Sequence, residues 1–123
     1  MIVGIGVDVV DLARFERAAS RTPKLLPRLF APSELHGDRT PSLRSLAGRF
    51  GAKEALIKAI GDSAGVRWHD MRIVSDDLGN PSFDLGGAVA ETVRARGISS
   101  VHVSISHDAG VAIAFVVAEG GPR

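Results

Sequence analysis

Apolar positions along this chain follow two periods. Residues 1–10, MIVGIGVDVV, are a nearly unbroken apolar, mostly β-branched run, which predicts a strand covered on both faces. Alternation puts Ile2, Gly4, Gly6, Asp8 and Val10 on one side and Met1, Val3, Ile5, Val7 and Val9 on the other. The two glycines ahead of Asp8 leave room for another backbone or a ligand to come close. Asp is disfavoured in strands, so Asp8 is expected either to accept backbone hydrogen bonds or to ligate a metal ion.

The second period is helical. Leu43, Leu46, Ala47, Phe50, Ile57 and Ile60 recur at steps of three and four and predict one apolar stripe on a long central helix. Thr40-Pro41 reads as its start and Gly61 as its end. Glu54, four residues after Phe50 and three before Ile57, is read into that stripe. A carboxylate carried toward the core needs a counter-charge or a metal ion, and Lys58, one turn on, is a candidate counter-charge. Arg49 and Lys53 are also one turn apart, a like-charged pair that invites a phosphate between them. The plain alternative is an ordinary surface ion pair, worth about 0.3–0.5 kcal/mol.

Around these two elements the remaining pattern is shorter. Asp11 is placed to cap a helix through Phe15 to about Ala19. Thr22-Pro23 and Leu26-Pro27 predict turns and a brief helix, and Pro32-Ser33-Glu34 opens another, with Gly37 as its stop. Residues 62–69 read as a loop containing Gly65 and Trp68. Strands are expected at 71–75 and 82–85, a helix from Gly87 to Arg96 ending at Gly97, and strands at 100–106 and 111–118 around a turn at His107-Asp108-Ala109-Gly110. The terminal GGPR reads as a frayed tail. With no internal repeat or linker, the expectation is one α+β domain over residues 1–123, an antiparallel sheet packed on the long helix.

Composition narrows the possible chemistry. The chain has 123 residues and 45% hydrophobic content, enough for one core, and no cysteine, which removes disulfides, thiolate metal sites and a cysteine nucleophile. No apolar run approaches the roughly 20 residues that span a bilayer. The N-terminal run lacks a basic leader and carries Asp8, so it is not read as a signal peptide, and a soluble, cytoplasmic protein without membrane partners is expected. A formal net charge of +1 does not point to nucleic acid. The charge is uneven, however: Arg14, Arg17 and Arg21 follow steps of three and four, a basic stripe that suits an acidic partner or simply a solvated face.

Three positions carry the candidate chemistry: Asp8 in the first strand, Glu54 on the long helix and His107 at the final turn. Two carboxylates from separate elements suit Mg²⁺, which is held by one or two carboxylates plus phosphate and water oxygens. Arg49, Lys53 and Lys58 are cations available to such phosphates. His36, His69 and His102 are given no role.

GIGVDVVDLARF at 4–15, LAGRFGAKEALIKAIG at 46–61 and VHVSISH at 101–107 resemble, in this order and spacing, the holo-acyl-carrier-protein synthases, the small class of 4′-phosphopantetheinyl transferases. The resemblance implies transfer of the 4′-phosphopantetheine arm of coenzyme A to a serine of an apo acyl carrier protein, with adenosine 3′,5′-bisphosphate released. It implies Mg²⁺ held by Asp8 and Glu54, and Lys58 on the pyrophosphate. Arg49 and His107 would sit at the adenosine 3′-phosphate, with Lys53, Gly61, Asn80 and Pro81 also placed around coenzyme A. It implies a homotrimer with active sites between neighbouring subunits, and an acidic carrier protein docking on the helix at Arg14, whose basic face is continued by Arg17 and Arg21. Glu54, or a water it holds, is the first candidate to accept the serine proton, with Asp108 a second suggested by its neighbourhood. Two departures from the family pattern stand out: Asn80 where a Gly-basic-Pro turn is common, and Gly51 where Ala is more usual, at a helix cost of up to about 1 kcal/mol. The competing reading is a binding module that keeps the coenzyme A site and performs no transfer.

Overall fold

The long helix lies so close to the first strand that the strand has no side chains where they meet. The computed structural model describes residues 1–37 and 39–121. Strand β1 (Ile2–Asp11) is followed by helices α1 (Leu12–Arg21), α2 (Leu25–Leu29), α3 (Pro32–Leu35) and α4 (Leu43–Ile60). A 3₁₀ turn (Trp68–Asp70), β2 (Met71–Ser75), β3 (Pro81–Leu85), α5 (Gly87–Ala95), β4 (Ile98–Asp108) and β5 (Val111–Gly120) complete the order. The expected α+β class holds. The antiparallel strands form two sheets, a three-stranded one in the order β1-β5-β4 and a β2-β3 hairpin whose β3 lies beside β4.

At Gly4 a Cβ would stand 1.9 Å from the Ala59 carbonyl oxygen, and at Gly6 1.8 Å from that of Ala55. The room foreseen ahead of Asp8 is thus filled by the α4 backbone. Gly51 continues the approach: a Cβ there would stand 3.2 Å from Val10 Cγ2. Its helix penalty therefore comes with close packing on the strand.

α4 is buried nearly all round, with Ala47, Ala52, Ala55, Leu56 and Ile60 fully enclosed. Its N-terminal half, through Leu46 and Ala47, packs with Phe15, Leu29 and Phe30 beneath α1–α3. Its C-terminal half, through Leu56 and Ile60, packs with Met71, Ile73, Val89 and Val116.

Local signals explain the boundaries. Asp11 accepts from the Arg14 amide at 2.8 Å and starts α1, which runs two residues past the expected end. Ser42, not Thr40, caps α4, its Oγ accepting from the Ser45 amide at 3.1 Å. Gly61 ends α4 in the left-handed region at φ 79°. His107 and Asp108 belong to β4, opposite Ala112 and Val111, so the hairpin turn shrinks to Ala109-Gly110, both with positive φ as a two-residue type I′ turn requires. Gly120 pairs within β5; of the expected frayed tail, Pro122 and Arg123 lie outside the described residues.

One expectation needs correction. β1 is covered on one face only, because α4 occupies the glycine side and no described residue covers the other. Ile5, Val7 and Val9 are exposed there beside Ile113 and Phe115 of β5, which they neighbour through the β1-β5 register.

A methyl group at Gly6 has no free space in which to go. Gly6→Ala is expected to cost about 3 kcal/mol and to lower the melting temperature by roughly 10 °C or more, read by thermal denaturation. An unchanged melting temperature would mean that α4 does not seat on β1 in this way.

Candidate active site

Asp8 points from the glycine face of β1, and the α4 backbone seated on Gly6 sets Glu54 and Lys58, one turn apart, beside it. Lys58 Nζ donates to Asp8 Oδ1 at 3.1 Å and to the Val7 carbonyl at 3.0 Å while its side chain stays half exposed. The expected Glu54–Lys58 pair is therefore replaced by Asp8–Lys58.

Glu54 is half-buried at the mouth of a groove and is not carried into the core. Burial, reinforced by the charge of Asp8, pushes its carboxyl above the usual carboxylate range, against a smaller downward pull from Lys58. Two carboxylates thus face one half-exposed ammonium, an arrangement short of positive charge. They supply two hard oxygen donors on one side, as a small divalent cation needs when substrate oxygens complete its shell. Among the described residues, no group of three or more His, Cys, Asp or Glu side chains forms a closed metal cage.

The groove has a volume of about 720 Å³ and runs from Asp8, Glu54 and Lys58 past Arg14 and Arg28 to an aromatic wall. Phe50 forms the hub of that wall, its ring centroid 5.7 Å from Phe15 and 5.8 Å from Trp68. Arg14 lines the groove, whereas Arg17 and Arg21 line a separate shallow depression with Ala13, Glu16 and Ser20. The predicted basic stripe is therefore shared between two adjoining surfaces.

Lys53 is the principal correction. It is fully buried, with Nζ 2.8 Å from Glu34 Oε1, 2.7 Å from the Leu29 carbonyl and 3.2 Å from the Trp68 carbonyl. All three of its protons are taken, and none is available to a phosphate. The sequence held the signal: Lys53 stands seven residues after Leu46 and seven before Ile60, so it was the charged member of the apolar stripe. Glu34, Arg28 and the Phe15–Phe50–Trp68 wall were not foreseen as features of the site.

Other expected contacts lie away from the groove. His107 Nε2 is 3.0 Å from the Arg44 carbonyl, fitted against α4 where Gly48 has no Cβ; one would stand 2.9 Å from that nitrogen. Arg49 is half-buried on α4 and does not line the groove. Gly61 closes the far end of α4. Asn80 donates its side-chain amide to Asp76 Oδ2 at 3.1 Å, beside Pro81 at the start of β3. Asp108 is exposed, its Oδ1 accepting from the Ala109 amide.

Comparison with known proteins places the chain in a family. A family model described as the 4′-phosphopantetheinyl transferase superfamily matches residues 4–116. The chain is 62% identical over 120 residues to the holo-[acyl-carrier-protein] synthase of Clavibacter sepedonicus, covering 98% of each chain. Its fold matches the crystal structure of holo-[acyl-carrier-protein] synthase from Neisseria meningitidis with a TM-score of 0.87 at 37% identity, covering 97% of this chain and 99% of that one. It also matches the Helicobacter pylori holo-[acyl-carrier-protein] synthase in complex with coenzyme A, TM-score 0.79 at 37% identity, covering 94% of this chain and 99% of that one. The chain belongs to the 4′-phosphopantetheinyl transferase superfamily, in its holo-[acyl-carrier-protein] synthase family. Among the described residues, no helix is long and apolar enough to cross a membrane.

The raised Glu54 carboxyl has a thermodynamic sign. A folded state that holds a proton more tightly than the unfolded chain loses stability as pH rises through the interval between the two pKa values. In the presence of a chelator, Glu54→Gln should therefore melt higher than the unsubstituted chain near neutral pH. The difference should vanish as pH falls below the ordinary value of about 4.5. Thermal denaturation across pH reads this, and a lower melting temperature for the variant at neutral pH would contradict it.

Proposed function

We propose that residues 1–123 act as one transferase domain that moves the 4′-phosphopantetheine group of coenzyme A onto a serine of an apo acyl carrier protein. The observation that carries the reading is the convergence of Asp8, Glu54 and Lys58 at the mouth of a groove that also holds Arg14 and Arg28. The serine Oγ bonds to the pantetheine-side phosphorus, the bridging P–O bond breaks, and adenosine 3′,5′-bisphosphate leaves with the bridging oxygen. Coenzyme A as substrate is supported by the complex formed by the Helicobacter pylori relative.

Asp8 and Glu54 would hold Mg²⁺, which when bound neutralises charge on the pyrophosphate. Lys58, half exposed and one turn from Glu54, is free to swing from Asp8 to a phosphate oxygen and bind it as a fixed cation. Glu54, at the groove mouth beside Asp8 and Lys58, would accept the serine proton, directly or through a water. Asp108 does not line this chain's groove and, like the adjacent His107, would reach the reaction only from another subunit, so it is the weaker candidate.

The exposed apolar face of β1 and β5 supports a homotrimer, in which a second copy covers Ile5, Val7, Val9, Ile113 and Phe115. Such an assembly would also supply what one chain's groove lacks: His107 and Arg49 at the adenosine 3′-phosphate, with Gly61, Asn80 and Pro81 on the adenosine side. The acidic carrier protein docks on Arg14, Arg17 and Arg21. The setting is cytoplasmic, in fatty-acid or polyketide synthesis.

Incubation of an apo acyl carrier protein with this chain, coenzyme A and Mg²⁺ should give a phosphopantetheine-sized gain in intact mass that EDTA abolishes. Glu54→Ala should lower the transfer rate by about a hundredfold or more with carrier binding kept. Coenzyme A binding without any mass gain would favour the binding-module reading, and full transfer by Glu54→Ala would remove Glu54 from its proposed role.

A further inference from the structure

A buried ionic cluster lies one residue from Glu54, and the transfer chemistry does not use it. Lys53 and Glu34 are 0% and 2% exposed at their side chains. Lys53 Nζ reaches Glu34, the Leu29 carbonyl and the Trp68 carbonyl, and stands 4.7 Å from the centre of the Phe30 ring. Glu34 Oε1 also accepts from the Ala31 amide at 3.0 Å, and Oε2 from the Ile73 amide at 3.2 Å. Burial of an ion pair is expensive, and an apolar pair of similar volume is often as stable. An apolar side chain, however, cannot bond two carbonyls and two amides from two separate stretches of chain, residues 29–31 and 68–73.

The carbonyls that Lys53 bonds both belong to the groove wall. Leu29 closes α2, on which Leu25, Arg28 and Leu29 line the groove, and Trp68 lines it from the 3₁₀ turn. α2 is five residues long, contains Pro27 and has no side-chain cap, so its own hydrogen bonds cannot hold it. A second tether runs on the outside of the wall: His69 Nε2 is 2.7 Å from the Pro27 carbonyl. Pinned on both sides, α2 presents Arg28 to the groove that Arg14 also lines.

We propose that Lys53 and Glu34 are positioning residues that fix the α2–Trp68 wall, and with it Arg28, to receive the acidic carrier protein, without touching coenzyme A. This rests on the transfer reading above. Lys53 is tied to the carrier half of the reaction and Glu54, its neighbour in sequence, to the phosphate half, so substitutions at the two positions divide between kinetic constants.

The test compares steady-state transfer by the full-length protein, the double variant Lys53→Met/Glu34→Gln and the surface variant His69→Ala, with thermal melts confirming that each is folded at the assay temperature. For the double variant, KM for the carrier protein should rise about tenfold, with KM for coenzyme A and kcat at saturating carrier within about twofold. His69→Ala should move the carrier KM in the same direction by about threefold. Raising ionic strength should weaken carrier binding less in the double variant than in the unsubstituted protein, because Arg28 no longer contributes fully. A folded double variant with an unchanged carrier KM would reduce the pair to a stabilising role and overturn the proposal, as would a rise confined to the coenzyme A KM. If the double variant does not fold, His69→Ala decides: an unchanged carrier KM overturns the proposal. No transfer by the unsubstituted chain to any carrier would instead overturn the transfer reading on which it rests.

Discussion

The contact of α4 with β1 is the constraint on which the rest of the molecule depends. Backbone meets backbone at Gly4 and Gly6, where a Cβ would stand less than 2 Å from a helix carbonyl oxygen. That approach fixes the position of the helix against the strand, and with it the distance between Asp8 on the strand and Glu54 on the helix. It also concentrates unlike demands on α4. The helix is core to both apolar clusters, supplies Lys53 to a buried ion pair, and carries Glu54 and Lys58 at the groove mouth. A helix with so many sides in use has little surface to give to water. Its small residues at positions 47, 48, 51, 52, 55 and 59 are what let strand, helices and hairpin all come close.

At the groove mouth two acids stand beside one half-exposed ammonium. Asp8 and Glu54 are close enough for the charge of one to raise the carboxyl of the other, and the single ammonium nearby pairs with Asp8 alone. In the reading proposed here, stability is given up to keep two acids together, and a cation with a pyrophosphate restores the balance. Lys53 and Glu34 lie on the other side of the same helix in the opposite state, a complete pair with every proton placed. The two ionic sites differ in access: the first opens to the groove, the second is buried against the Phe30 ring.

Much of this was legible in the chain. The strand run, the Asp11 cap, the Gly61 stop and the β2-β3 hairpin follow from local rules, and the glycines before Asp8 correctly announced a close neighbour. What failed was the assignment of charge to a helix face. Counting from Phe50 to Ile57 admits either Lys53 or Glu54 to the apolar stripe, and only the seven-residue steps to Leu46 and Ile60 favour the lysine. Burial of a lysine is the rarer outcome, and its partner Glu34 lies in a four-residue helix that no periodicity marks. The aromatic wall and Arg28 were equally hidden, since the groove is assembled from β1, α1, α2, α4 and the 3₁₀ turn by tertiary packing. The exposed face of β1 has a different cause: the apolar run marks a strand but does not say what covers each face, and among the described residues only the α4 side is covered.

The most direct test of the account is a crystal structure of this protein grown with coenzyme A and Mn²⁺ as an anomalous stand-in for Mg²⁺. The account predicts a metal peak between the Asp8 and Glu54 carboxylates, the pyrophosphate beside Lys58, and Lys53 still buried against Glu34. A metal peak remote from Asp8 and Glu54, or a pyrophosphate held by Lys53 in place of Lys58, would contradict it.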